Sequence, residues 1–285
     1  MAVAPAQHIH PLDRHLRVER LPTIHCPGCG IGIGMGAVLR ALDRRINEGS
    51  INPEKVVWMA GIGCTARAVP YVNYDVGRCL HGRAVANALG AVIANPELKV
   101  IAVGGDGDIA AIGGNHLIHA ARRNADILVL MFTNFTYAMT GGQVAPTTPQ
   151  GLRTTTTPQG SPEPALSVIK LLASLNVNYV ARASVTTPHY IEQFAYKALG
   201  MKGFRLIEVL STCPERFGRT IGARDPVKMF RELKNRVKYK PRPAIEESDI
   251  DWNKEIIIGE FVERNNPSYL ELFYGGYGKQ KVVGV

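Results

Sequence analysis

A chain of 285 residues can fill one large α/β domain or two small ones, and 46% apolar with 20% charged residues is a globular rather than a disordered composition. No apolar run is long enough to cross a membrane, and the Met-Ala-Val-Ala-Pro-Ala-Gln-His start lacks a basic segment followed by an apolar core, so a cytoplasmic protein with no membrane partner is expected. The net charge of +9 invites a nucleic-acid reading, but the basic residues are spread out and no nucleic-acid module appears; the charge suits steering of a small acidic protein instead.

Residues 1–20 are polar with little periodicity and are expected to form an extended arm. His8, His10 and His15 have no further ligand beside them and read as solvated tail. Residues 25–36, His-Cys-Pro-Gly-Cys-Gly-Ile-Gly-Ile-Gly-Met-Gly, put Cys26 and Cys29 in a Cys-x-x-Cys knuckle. A helix over 37–47 follows, with Val38, Leu39 and Leu42 on its apolar side. Gly32, Gly34 and Gly36 mimic a dinucleotide loop, but no strand precedes them; close packing at the helix start is the better expectation. Residues 55–60 predict a buried strand that ends in Gly61-Ile62-Gly63-Cys64-Thr65-Ala66-Arg67. A loop is expected over 71–80. His81-Gly82-Arg83 then opens an Ala-rich helix over 84–94, which puts His81 at a helix N-terminus, a place suited to anions.

The next stretch organises the chain. Lys99-Val-Ile-Ala-Val103 is a short apolar run, as for a strand buried on both faces. Gly104 and Gly105 end it, and Asp106 follows at the strand's carboxyl end, where open α/β sheets bind ligands. A helix with Leu117, Ile118 and Ala121 on one side carries the chain back to a second apolar strand, 127–132, which is followed by Asn134. Two neighbouring parallel strands then present a carboxylate and an amide oxygen at one sheet edge. Both are hard ligands, suited to Mg²⁺ that also holds phosphate oxygens. Gly-Asp-Gly alone also suits an Asp-capped turn; Asn134 favours the metal.

Residues 144–164 carry repeated Thr, Pro, Gln and Gly and predict a long loop, whose opening Pro146-Thr147-Thr148-Pro149 should lie beside the metal position. A helix over 165–175, a strand over 179–183, a helix over 188–199 and a strand over 204–210 follow, the last ending at Ser211-Thr212-Cys213-Pro214. Strands alternating with helices predict an α/β fold, a mostly parallel sheet with helices on both faces. That domain is expected over 21–240. A C-terminal extension over 241–285 would hold a short strand at 256–261 and a Gly/Tyr/Lys-rich end that packs on a partner or stays mobile.

Gly105-Asp106-Gly107 with Asn134 resembles the thiamine-diphosphate motif, and Thr-Asn-Phe-Thr-Tyr-Ala-Met-Thr-Gly-Gly-Gln over 133–143 resembles the β subunit of the 2-oxoacid:ferredoxin oxidoreductases. The likeness runs from about Cys26 to Cys213. It implies a thiamine-diphosphate-binding fold, with Mg²⁺ on Asp106, Asn134 and the Thr136 carbonyl. It also places the cofactor against Gly63, Cys64 and His81, then Gly105, Gly107 and Asp108, then Thr140. Within the family, Met139-Thr-Gly-Gly-Gln143 followed by Pro-Thr-Thr-Pro resembles the 2-oxoglutarate branch. A dicarboxylate needs a cation for its distal carboxylate, and Arg67 is the candidate beside an interface or surface role. His81-Gly-Arg is also a family feature near the cofactor.

Five cysteines in a chain with no secretory signal point to metal or cluster ligation rather than a disulfide framework. Cys26, Cys29, Cys64 and Cys213 are candidates to converge, leaving Cys79 as an inert thiol. A Cys₄ set holds zinc or an iron–sulfur cluster; one knuckle with two distant single cysteines suits a cluster better than the two knuckles usual for zinc. The resemblance implies a [4Fe–4S] cluster at these four positions. It further implies coenzyme A as cosubstrate, ferredoxin as acceptor and a hetero-oligomer, αβ or α₂β₂. No Glu here sits in a recognisable motif near the cofactor strands, and in the resembling family that activating Glu comes from the α subunit. Two other classes stay open: a non-redox thiamine-diphosphate decarboxylase or carboligase with structural zinc, and a non-catalytic Mg²⁺-nucleotide module.

Overall fold

The two central apolar runs lie side by side, and their side chains alternate between two cores. Ile101, Val103, Leu128, Leu130 and Phe132 enter one core, while Val100, Ala102, Ile127, Val129 and Met131 enter the other. That alternation is the period of an extended strand, and it needs cover on both faces. The computed structural model describes residues 10–277. Its strands are β1 (Val56–Ala60), β2 (Asp75–Arg78), β3 (Lys99–Gly105), β4 (Ile127–Thr133), a small hairpin of β5 (Thr136–Tyr137) and β6 (Gln143–Val144), β7 (Tyr179–Ser184), β8 (Arg205–Leu210), β9 (Val237–Tyr239) and β10 (Ile256–Glu263). The main sheet has eight strands in the order β2-β1-β3-β4-β8-β7-β10-β9. Its pairs are parallel except β7 with β10.

The helices are α1 (Ile31–Asn47), α2 (Ala84–Ala94), α3 (Gly114–Arg122), α4 (Val168–Ala173), α5 (Pro188–Gly200), α6 (Pro226–Arg236) and the single turn α7 (Tyr269–Leu272). α1, α5 and α6 bury Leu39, Phe194 and Leu233 in the first core; α2, α3 and α4 bury Ala88, Leu117 and Leu172 in the second. The expected fold class is therefore the observed one. Parallel strands with all crossovers outside the sheet bring the ends of β1, β3, β4 and β8 to one edge. Among the described residues no helix is long and apolar enough to span a membrane.

Several local expectations are corrected. α1 starts at Ile31, so Gly32, Gly34 and Gly36 lie inside it; the close packing anticipated holds at Gly34, where a methyl would sit 2.5 Å from the Phe132 ring, and not at Gly32 or Gly36, which have room for one. Within 71–80, read as a loop, residues 75–78 form the edge strand β2. His15 is not solvated: it is buried, with Nε2 2.6 Å from Asp43 and Nδ1 2.5 Å from the Tyr74 hydroxyl. Leu16 bridges to Val72, so the described part of the arm packs on the domain. His8 and the last eight residues lie outside the described ones. The segment read as an extension supplies β10, which completes the sheet against β7.

Candidate active site

The end of β3 delivers Asp106, 2% exposed, into a ring of donors. Its Oδ1 accepts the Gly107 N–H at 2.9 Å, and its Oδ2 accepts the Phe135 N–H at 3.0 Å and the Thr147 hydroxyl. Burial pushes the carboxyl up to about 6, against the pull of these three hydrogen bonds. A carboxylate so held, with no cationic side chain bonded to it among the described residues, is a site that a cation would relieve. Phe135 has φ +66°, a strained conformation for a bulky residue, and its ring is clamped by Phe217 and Trp252 at 5.0 and 5.5 Å. The clamp sets the turn from Asn134 to Thr136, where the Asn134 Oδ1 accepts the Thr136 N–H at 3.2 Å. Gly107 is needed for a different reason: a Cβ there would stand 2.3 Å from the Tyr137 ring.

Asp108, 3% exposed, ties three loops together. Its Oδ1 accepts the Gly82 N–H at 2.6 Å, the Ile62 N–H at 3.4 Å and the His81 Nδ1–H at 2.9 Å. His81 Nδ1 also lies 3.1 Å from the Ile62 carbonyl. Since both neighbours accept, Nδ1 carries a proton. The helix starts at Ala84 as expected, so His81 lies just ahead of its first turn, and Asp108 places it.

Gly63, Cys64, His81, Gly105, Asp106, Gly107, Asp108, Asn134, Thr136 and Thr140 all line one cavity of about 210 Å³. A second cavity of about 420 Å³ adjoins it, lined by Cys26, Cys29, Cys64, Cys213 and Arg67 together with His25 and Arg216. Cys64, Asn134, Ala138 and Met139 form walls of both. Arg67 is thus on the cysteine side of the shared wall, whereas His81 is on the Asp106 side. A further cavity of about 600 Å³ beside Arg14 and Tyr74 lies away from these strand ends.

The cysteines come together from three places. Gly28, at φ +77°, turns the Cys-x-x-Cys knuckle, and its carbonyl accepts the Thr212 hydroxyl at 2.7 Å next to Cys213. The His25 Nε2–H reaches the Cys64 carbonyl at 3.1 Å. Burial pushes the Cys29 thiol up to about 12, with the other three sulfurs adding repulsion; burial also raises Cys64 and Cys213. Arg67 and Arg216 oppose the rise at Cys64. Among the described residues no three His, Cys, Asp or Glu side chains close around a point that would hold one metal ion. Cys26, Cys29, Cys64 and Cys213 nonetheless line one cavity, which gathers four thiol donors of the kind that hold an iron–sulfur cluster or zinc. Cys79 lines neither cavity.

Sequence reasoning missed His25, Arg216 and the Phe135 clamp. His25 adjoins the knuckle and Arg216 follows Cys213 by three residues, so proximity to a candidate ligand was an available signal. No local signal marks Phe217 and Trp252 as partners of Phe135.

A strand-end carboxylate and amide facing a glycine-lined cavity define a thiamine-diphosphate enzyme, and residues 56–209 match the family described as "Thiamine pyrophosphate enzyme, C-terminal TPP binding domain". The 2-oxoglutarate synthase subunit KorB of Methanocaldococcus jannaschii is 40% identical over 263 residues, 92% of this chain and 96% of that one. The 2-oxoacid:ferredoxin oxidoreductase subunit beta of a Sulfolobus species is 31% identical over 271 residues, 86% of this chain and 87% of that one. A solved structure of the 2-oxoglutarate:ferredoxin oxidoreductase from Magnetococcus marinus, with 2-oxoglutarate, coenzyme A and succinyl-CoA bound, superposes with TM-score 0.80 at 28% identity, covering 100% of this chain and 95% of that one. The chain belongs to the thiamine-diphosphate-dependent 2-oxoacid:ferredoxin oxidoreductase β subunits, a family whose members work in multi-subunit enzymes.

Proposed function

We propose that this chain, with an α partner in an αβ or α₂β₂ complex of the cytoplasm, converts 2-oxoglutarate and coenzyme A to succinyl-coenzyme A and CO₂, passing two electrons singly to ferredoxin. The wall shared by the two cavities supports this reading, because it sets the Asp106 cavity directly against the cavity lined by four cysteines. Thiamine diphosphate, when bound, supplies the nucleophilic carbon that makes loss of CO₂ from a 2-oxoacid possible. Asp106, the Asn134 amide oxygen and the Thr136 carbonyl would hold Mg²⁺, one carboxylate being enough where diphosphate oxygens complete the shell. Cys26, Cys29, Cys64 and Cys213 would hold the [4Fe–4S] cluster. His81, with Nδ1 fixed as a donor by Asp108, keeps Nε2 as its second ring nitrogen to hold or move a proton.

Arg67 has no ion pair among the described residues and binds the distal carboxylate of the substrate, with Arg216 adding positive potential from the same cavity. Among the described residues no Glu lines the Asp106 cavity, which supports an activating Glu from the α partner. A carboligase with zinc is disfavoured by the cysteine pattern, one Cys-x-x-Cys knuckle with two distant single cysteines rather than two knuckles. The test is anaerobic purification of this chain with its α partner and assay of coenzyme-A-dependent reduction of a one-electron dye. Turnover with 2-oxoglutarate, and none by this chain alone, is expected. Dye reduction that ignores coenzyme A, or full turnover by the isolated chain, contradicts the proposal.

A further inference from the structure

At the opposite edge of the sheet, where β3, β4 and β8 begin, lies a cavity of about 420 Å³. Lys99 opens β3, Asp126 precedes β4 and Arg205 opens β8, so parallel pairing gathers all three there. Arg205 is 1% exposed. Its Nη1 donates to the Met201 carbonyl at 2.6 Å and lies 4.0 Å from Asp126. Its Nε and Nη2, the side-on fork of the guanidinium, are buried with no hydrogen-bond partner among the described residues. A buried guanidinium edge without acceptors is costly and uncommon.

Lys99 faces the same cavity with no ion pair among the described residues. Burial first, and then the charge of Arg205, push its ammonium down to about 8, while burial lowers Arg205 itself to about 10. The carboxylates nearby are already engaged. Asp126 Oδ1 accepts the Gly203 N–H at 2.7 Å. Glu271 pairs with Lys202 at 2.7 Å and accepts the Ser268 N–H at 2.9 Å. Asp126 offsets part of the positive charge at both Lys99 and Arg205 but does not meet the Nε/Nη2 edge; water could satisfy those N–H groups without adding charge. An oxyanion satisfies them and adds negative charge, and the Nε/Nη2 fork matches two of its oxygens. Leu98, Leu270 and the Tyr274 ring give the cavity an apolar side, with the Tyr274 hydroxyl donating to the Ile93 carbonyl at 3.0 Å.

We propose that this amino-edge cavity binds the phosphate of a small phosphorylated molecule, its oxyanion held between Lys99 and Arg205. The site is independent of the cofactor and cysteine cavities, which lie at the carboxyl ends of the strands.

The test uses the intact α–β complex, loaded with thiamine diphosphate and Mg²⁺, at fixed ionic strength set with chloride. Inorganic phosphate and AMP are titrated by calorimetry and by thermal shift in the wild type, Lys99→Gln, Lys99→Arg and Arg205→Met. Saturable binding in the wild type, weakened about tenfold or more in Lys99→Gln and recovered in Lys99→Arg, is expected. Equal affinities for phosphate and AMP would assign recognition to the oxyanion alone; tighter AMP would assign it to the phosphorylated organic molecule. Lys99→Gln carries the test if Arg205→Met does not fold. It also separates this site from any coenzyme A site that AMP enters. No saturable binding in the wild type, or wild-type binding by Lys99→Gln, overturns the proposal.

Discussion

The two cavities that meet at Cys64 are built in opposite ways. Around Asp106 and Asp108 the carboxylates are tied down by this chain: Gly107, Phe135 and Thr147 hold both oxygens of the first, and Gly82, Ile62 and His81 hold Oδ1 of the second, whose Oδ2 is buried with no partner among the described residues. Around the cysteines, three thiols are raised by burial, two arginines stand without ion pairs among the described residues, and His25 Nδ1 is buried with no partner there. The first region is preorganised by this chain's own hydrogen bonds; the second gathers buried thiols and arginines without such a network. Placing charges before the ligand arrives avoids reorganising them during the reaction. Thiols, in contrast, gain from burial only once a metal takes their protons.

Substitutions should separate the regions. The largest effect is expected from Asp106→Ala: removing the buried carboxylate at the proposed Mg²⁺ position should cost about 3–5 kcal/mol in cofactor affinity, as for breaking a buried charge pair. Calorimetry with thiamine diphosphate and Mg²⁺ reads this, and iron content should stay normal. Next, Cys26→Ser, Cys29→Ser, Cys64→Ser and Cys213→Ser should each lose iron on anaerobic purification, with Cys26, Cys29 and Cys213 variants still binding thiamine diphosphate. Cys79→Ser should keep its iron. Normal iron in all four variants would remove the cluster from this chain.

A smaller effect is expected at the shared wall. Arg67→Met should weaken 2-oxoglutarate use by about 2–4 kcal/mol, the range for truncating one partner of a buried charge pair. Pyruvate should suffer less, so the ratio of kcat/KM for the two acids is the readout, and an unchanged ratio takes Arg67 out of substrate binding. The smallest is Phe135→Leu, which loosens the aromatic clamp. About 1–2 kcal/mol of stability should be lost in urea unfolding, together with weaker cofactor binding; a stability loss with unchanged cofactor affinity would mean the clamp does not set the Asn134 turn.

Much of this was legible in the sequence because apolar runs and glycine punctuation report local structure directly. β3, β4, β8 and α2 fall within two residues of expectation for that reason. β2 escaped because an exposed edge strand, Asp75-Val-Gly-Arg78, needs no apolar pattern. α6 escaped although Asp225-Pro226 caps it and Met229 and Leu233 give its buried face. The meeting of Cys64 and Cys213 is legible because each follows a strand that topology carries to the same edge; Cys26 and Cys29 precede α1 and carry only the knuckle spacing as a signal. What no local pattern reports is side-chain pairing across the chain: Thr147 on Asp106, His25 on the Cys64 carbonyl, Arg182 buried at 2.7 Å from Glu208.

The central claim is that electrons leave the Asp106 cavity through the cysteine cavity of the same chain. The most direct measurement is anaerobic rapid mixing of the α–β complex with 2-oxoglutarate, without external acceptor, while the visible absorbance of the iron–sulfur centre is followed. Bleaching is predicted in the wild type and not in Asp106→Ala with its iron intact. A wild-type centre that stays oxidised, or bleaching that persists in Asp106→Ala, would contradict it.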